Sequence, residues 1–86
     1  MKYFKRHWDE NRGDQYEIWG KSVWFFETGN NGEVLRQIEV YENGKILKYD
    51  NQNLEDEFGG LSDQNLDLSE FENYSIDKDE FENKWK

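Results

Sequence analysis

Cysteine and proline are both absent from this 86-residue chain, and histidine and methionine occur once each. Without cysteine, no disulfide and no thiolate metal site can supplement the core, which suits a reducing compartment. No apolar run approaches the ~18 residues that a membrane span requires. The opening residues Met1 to Trp8 lack the apolar stretch of a secretory signal, so a soluble, cytoplasmic protein with no membrane partner is expected. Aliphatic side chains are also scarce. A chain of this length makes one domain, burying around 60% of the surface that its unfolded state exposes.

The residues that chemistry needs are equally sparse. Nucleophilic catalysis requires a nucleophile beside a base. His7 stands in a strand-like stretch next to Trp8, and Ser22, Ser62 and Ser69 lie in no strained-turn motif. Gly59-Gly60 lacks the following Lys-Ser/Thr of a phosphate-binding loop. Asp63-x-Asn65-x-Asp67-x-Ser69 has the alternating oxygens of a calcium loop. Leu68, however, replaces the glycine of its sixth position, and Tyr74 the bidentate glutamate of its twelfth. The expectation is a protein that is not an enzyme and holds neither cofactor nor metal.

What the chain does have is aromatic rings and carboxylates. Four Trp, five Tyr and six Phe make up 17% of the residues and must supply most of the core. Each ring can bury ~150–250 Å². Disordered chains are poor in such residues, so the chain should fold despite its charge. Residues 1–49 carry eight basic and eight acidic side chains, whereas residues 50–86 carry three lysines against twelve acids. The whole net charge of −9 therefore lies in the C-terminal part. A field of one sign repels nucleic acid and acidic membranes and steers basic partners inward, although acidity also serves solubility alone. Direct nucleic-acid binding lacks the basic stripe it would need.

Strand signals fill the first half. Tyr3–Trp8 is aromatic and β-prone and ends in a turn-like stretch over Asp9–Asp14; Tyr16–Trp19 could continue a ladder up to Gly20. Val23–Glu27 and Glu33–Glu42 follow, separated by Thr28-Gly29-Asn30-Asn31-Gly32. Asn43-Gly44 signals a two-residue type I′ hairpin leading into Lys45–Tyr49. That loop would set Glu42 opposite Lys45, Tyr41 opposite Ile46, Val40 opposite Leu47, Glu39 opposite Lys48 and Ile38 opposite Tyr49. Alternation then places Val34, Ile38, Val40, Leu47 and Tyr49 on one face, joined by Val23 and Phe25 if the preceding hairpin has an even loop, and Leu35, Tyr41 and Ile46 on the other with Trp24 and Phe26. Both faces are partly apolar, so a helix must cover one, and the other is covered by remaining chain or left for a partner.

The second half reads as an acidic irregular segment over residues 50–75, with Leu54, Phe58, Leu61, Leu66 and Leu68 as pins, and a helix over 76–86. Asp77 is a suitable N-cap with Glu80 three residues on, Ile76 can staple to Phe81, and Phe81 and Trp85 share one helix face. The fold class expected is α+β: an antiparallel meander of about four strands over 1–49, with the short C-terminal helix packed on one face, in a single domain.

The run Arg36-Gln37-Ile38-Glu39-Val40-Tyr41-Glu42-Asn43-Gly44 resembles a family of short acidic bacterial domains. Its members open with an aromatic strand ending in Trp, here Phe4 to Trp8, and close with a helix like Glu80-Phe81-Glu82-Asn83-Lys84-Trp85. Residues 11–22 look inserted relative to that pattern, and Arg6 stands where an apolar residue is usual. The family carries no catalytic residue to transfer. In style, though not in motif, such domains also look like the immunity proteins paired with bacterial toxins. The resemblance implies an acidic binding protein that covers the basic active site of a cognate toxin, a nuclease being the commonest kind. The contacts expected are Glu55, Asp56, Glu57, Asp63, Asp67, Glu70 and Glu72, with Trp19 or Trp24 as an aromatic anchor. The alternatives are a DNA-mimic or adaptor protein, and a structural module that pairs as a weak homodimer.

Overall fold

The computed structural model describes residues 1–10 and 12–86. Asn11, part of the turn expected after Trp8, lies outside them. Four strands, β1 (Lys2–Trp8), β2 (Ser22–Thr28), β3 (Val34–Tyr41) and β4 (Ile46–Tyr49), pair antiparallel in chain order, giving the α+β meander that the sequence predicts. The acidic segment holds more regular structure than its composition suggests. It contains a two-stranded hairpin, β5 (Glu55–Asp56) and β6 (Gly59–Gly60), and a short helix α1 (Leu68–Phe71) that runs into a 3₁₀ turn. The C-terminal helix α2 spans Lys78–Trp85. Tyr16–Trp19 does not extend the ladder. Asp14 accepts from the Tyr16 N–H at 2.8 Å, and its own carbonyl accepts from Glu17 N at 3.1 Å. This local bonding draws the backbone into a 3₁₀ turn over Glu17–Trp19 instead.

The β3–β4 register differs by one residue from the one that a two-residue loop would impose. Val40 pairs with Ile46, Glu39 with Leu47, Ile38 with Lys48 and Gln37 with Tyr49. Tyr41 N donates to Lys45 O, and Gly44 N to Tyr41 O, both at 2.9 Å, so three residues form the loop. A type I′ turn would need positive φ at both central residues. Among the described residues only glycines adopt it, Gly44 at φ 91° being one, and Asn43 instead accepts the Lys45 N–H at 2.9 Å. The result has the form of a type I turn followed by a glycine bulge. Because strand side chains alternate, this slip moves all of β4 to the opposite face. Leu47 and Tyr49 therefore pack with Tyr41, and Ile46 lies on the side of Ile38 and Val40. A second irregularity, between Glu27 and Thr28, turns Val34 towards Phe4 and Phe26.

Each face has its own cover. On the helix face, Phe81 packs against Phe25 and Ile38, joined by Tyr3, Ile76 and Trp85. Asp77 caps α2 by accepting from Glu80 N at 2.8 Å, as expected. Arg36 locks this layer. Its guanidinium donates to both oxygens of the buried Glu27 and both oxygens of Glu82 at 2.8–2.9 Å, and lies over the rings of Phe81 and Trp85. On the other face, here called the segment face, Phe58, Leu61, Leu66, Leu68 and Phe71 lie over Phe4, Phe26, Val34, Tyr41, Leu47 and Tyr49. Leu54, grouped with these pins in the sequence, stays 58% exposed. Leu66 N donates to Gly32 O at 2.8 Å, tying the segment to the β2–β3 loop.

Two stability predictions follow from these contacts. Arg36→Met leaves Glu27 charged, buried and unpaired, and should cost about 3–5 kcal/mol in urea unfolding. Adding Glu27→Met should recover most of that loss; a double variant no more stable than the single one would place the cost in packing, not in the orphaned charge. Gly44 (φ 91°) has open space around it, so Gly44→Ala should cost only the conformational penalty of about 1–2 kcal/mol. Gly32 (φ 88°) faces the Leu66 carbonyl where a Cβ would go, so Gly32→Ala should cost more and should loosen residues 62–71 in hydrogen exchange. Equal costs at the two glycines would refute the close approach of the segment.

Candidate functional site

The segment face is only partly covered. Loop 12–21 and the β5–β6 hairpin close one end, and residues 61–71 close the other. Between them lie two adjoining clefts that share Trp8 and Trp24 as walls. The first, of about 440 Å³, runs from the two indoles and Phe26 to Leu66, Asp67 and Glu70. The second, of about 380 Å³, runs from the same indoles to Arg12, Asp14, Glu39 and Tyr41. Trp8, at the end of β1, is 42% exposed. Trp24 is half-buried and fixed by its Nε1–H donating to Ser22 Oγ at 2.8 Å.

The two clefts differ in electrostatics. In the first, Arg6 is already satisfied. It donates to Glu70 at 2.9 Å, and its guanidinium lies 5.0–5.3 Å from the ring centres of Trp8, Phe71 and Tyr74. In the second, the dominant feature is Glu39, only 3% exposed. Its carboxylate accepts from the Tyr41 hydroxyl and, at 2.8 Å, from Gln37 Nε2. Gln37 in turn donates to Gly60 O at 3.1 Å and accepts from Ser62 N at 3.0 Å, so this buried network reaches into the acidic segment. Burial holds the Glu39 carboxyl above the ordinary glutamate range, against the opposing pull of these two hydrogen bonds and of Arg12. The Tyr41 hydroxyl is pushed up by burial and by its bond to Glu39.

The residues singled out in the sequence take different places in the structure, and two of them fill more than one. Trp24, Asp67 and Glu70 come together in the first cleft. Asp56, Asp67 and Glu70 are engaged internally. Asp56 Oδ1 accepts from Tyr49 OH, Phe58 N and Gly59 N. Asp67 caps α1, its carboxyl drawn down first by the Ser69 hydroxyl, and Glu70 holds Arg6. Glu55, Glu57, Asp63 and Glu72 are exposed and make no side-chain hydrogen bond among the described residues. Glu55 and Glu57 lie at the β5–β6 end, with Arg12, Asp14 and Phe58 of the second cleft, whereas Glu72 lies beyond α1 beside Met1–Phe4, away from both clefts. Trp19 is half-buried, packed against Tyr16, Tyr41 and Phe58.

The oxygen-rich run also has internal uses. Asn65 Nδ2 donates to Asn31 O at 3.2 Å, and Ser69 Oγ to Asp67 at 2.9 Å. His7 is an exposed strand residue on the helix face, paired across from Val23. Trp8, Arg12 and Glu39 also line the second cleft and are not among the contacts expected from the sequence. A signal for Glu39 was present: alternation sets Gln37 and Glu39 on the face of Tyr41, where two polar side chains among aromatics call for a buried network. Nothing in the sequence indicated that Arg12 would fold back onto Tyr41 and the Phe58 carbonyl. Comparison of the chain with known protein families, curated proteins and solved structures finds no match.

The raised Glu39 carboxyl has a checkable consequence. Its folded-state value lies above its unfolded one, so its ionisation opposes folding as pH rises through that window. The carboxyls of Glu27, Asp56, Asp67 and Glu82 are lowered and slope the other way, so the comparison must be between variant and parent. Relative to the parent, Glu39→Gln should be more stable at pH 7 than at pH 4 in urea unfolding. A stability difference independent of pH would mean that Glu39 ionises in the folded protein as freely as in water.

Proposed function

We propose that this chain is an acidic binding protein that engages a basic protein partner through the segment face. The sharper form of the proposal is an immunity protein that covers the basic active site of a cognate toxin nuclease. The observation that supports this reading is the use of charge. All three arginines are engaged internally, Arg6 with Glu70, Arg12 with Asp14 and Arg36 with Glu27 and Glu82. Apolar side chains pin the acidic segment, while its Glu55, Glu57, Asp63 and Glu72 are exposed and the indoles of Trp8 and Trp24 are partly exposed on the same face of the sheet. That combination suits an inhibitor. Long-range attraction speeds encounter towards 10⁸–10⁹ M⁻¹s⁻¹ at low salt, and buried aromatic anchors slow dissociation. The sharpening to an immunity protein rests on the resemblance in size, acidity and style.

The test starts with a pull-down from the source cell lysate, washed at low and then high salt. Recovery of one basic toxin domain is expected, and recovery of nothing or of the chain itself would overturn the reading. Reversing Glu55, Glu57, Asp63 and Glu72 to lysine changes the net charge from −9 to −1, at two charges per substitution, and touches no internal bond. Association with the recovered partner should slow about tenfold or more at low salt, with the difference fading at high salt and the circular dichroism unchanged. An unchanged association rate would exclude electrostatic steering.

A further inference from the structure

Resting on the reading of a basic protein partner, we propose that the cleft above Glu39 receives one lysine or arginine side chain of that partner, its cation meeting the Glu39 carboxylate between Trp8 and Trp24. The first ground is the unmatched charge. Glu39 is 97% buried by its 3% exposure, yet both of its hydrogen-bond donors, Tyr41 and Gln37, are neutral. No ion pair reaches it among the described residues. A carboxylate offers about four lone-pair sites, so two acceptor positions remain.

The second ground is what the lining can offer. Arg12 is the one cation there, and its nitrogens already donate to Asp14, Tyr41 OH and the Phe58 carbonyl. Against it stand Glu10, Asp14 and Glu39. The cleft therefore presents acceptors and negative charge, with the indoles of Trp8 and Trp24 in its lining. An anion would be repelled. An apolar side chain would strip water from the carboxylate and give nothing back. An ammonium or guanidinium matches both the charge and the rings.

The third ground is internal precedent. Arg6, Arg12 and Arg36 each sit between a carboxylate and aromatic rings of this same chain. The Glu39 cleft has the same parts, with a carboxylate and Trp8, Trp24, Tyr41 and Phe58 in its lining, but its one cation, Arg12, is paired with Asp14 and makes no ion pair with Glu39. A volume of about 380 Å³ accommodates one long side chain. A buried, fully desolvated charge pair of this kind governs dissociation more than encounter.

The experiment titrates the ¹⁵N-labelled full chain with N-acetyl-arginine methylamide and N-acetyl-lysine methylamide, using the neutral N-acetyl-norleucine methylamide as control. The Trp8 and Trp24 indole N–H signals should shift saturably with a cationic probe, and those of Trp19 and Trp85 should not. Affinity should fall about tenfold in Glu39→Gln and in Trp8→Ala, both checked for an intact spectrum. Equal response to the norleucine probe, unchanged affinity in Glu39→Gln, or no saturable shift would overturn the pocket. With the recovered partner, Glu39→Gln should dissociate about tenfold faster and associate normally, the reverse of the four-lysine variant. If the four-lysine variant alone is impaired, the acidic-binding reading stands and the pocket fails. If the probes bind at Trp8 and Trp24 but no basic partner is recovered, the pocket stands and that reading fails.

Discussion

A guanidinium held between a carboxylate and aromatic rings is the contact on which this fold depends. The chain is short of aliphatic side chains and has two sheet faces to cover. Aromatic rings supply buried area, but they leave cation-attracting faces and an awkward layer thickness. Arginine fits that situation, because its planar head stacks on a ring while its edge donates to a carboxylate. Arg36 does this for α2, tying Glu27 of the sheet to Glu82 of the helix across the Phe81 and Trp85 rings. Arg6 does it for α1 through Glu70 and Phe71, and Arg12, held by Asp14, ties loop 12–21 to Tyr41 of the sheet and to the Phe58 carbonyl. Each covering element is thereby fastened by one cation of the N-terminal half.

This arrangement gives the uneven charge distribution a structural meaning. The neutral first half contributes the cations, and the acidic second half supplies carboxylates to them: Glu70 to Arg6, Glu80 to Lys5 and Glu82 to Arg36. Exposed pairs such as Lys5–Glu80 contribute little alone. The partly buried Arg36 cluster contributes more, since removing one member strands the others. Once these pairs are made, Glu55, Glu57, Asp63 and Glu72 of the segment remain exposed, and they contribute to the field that an approaching protein meets.

Much of this was legible in the sequence, for identifiable reasons. The four strands follow from aromatic and β-branched alternation, and α2 from Asp77 at its start and the Phe81–Trp85 stripe. The register was not legible, because Asn43-Gly44 serves equally as a type I′ turn and as the end of a type I turn with a glycine bulge. The choice is made by packing: the observed slip sends Leu47 and Tyr49 into the aromatic cluster of Tyr41, Trp19 and Phe58, at the expense of two cross-strand charge pairs. Burying two large side chains outweighs two exposed ion pairs worth a few tenths of a kcal/mol each. The roles of Asp56, Asp67 and Glu70 were hidden for a related reason. Composition identifies a carboxylate but not whether a backbone N–H or an arginine has already claimed it.

The same slip bears on Glu39. In the two-residue register its neighbour would have been Lys48, a surface cation. In the observed one it lies opposite Leu47 on one side and Trp24 on the other, beneath the acidic segment. A sheet that needed only stability would place an apolar side chain there, since a buried carboxylate without a cation opposes folding. The position instead carries a carboxyl group that Gln37 and Tyr41 hydrogen-bond and no cation pairs among the described residues, with Ser62 and Gly60 holding Gln37 in place. A chain with so thin a core can carry that burden because its arginine fastenings hold the two covers independently of Glu39. The cost falls at the second of the two clefts that the indoles of Trp8 and Trp24 line, which is where the proposed basic partner would compensate it.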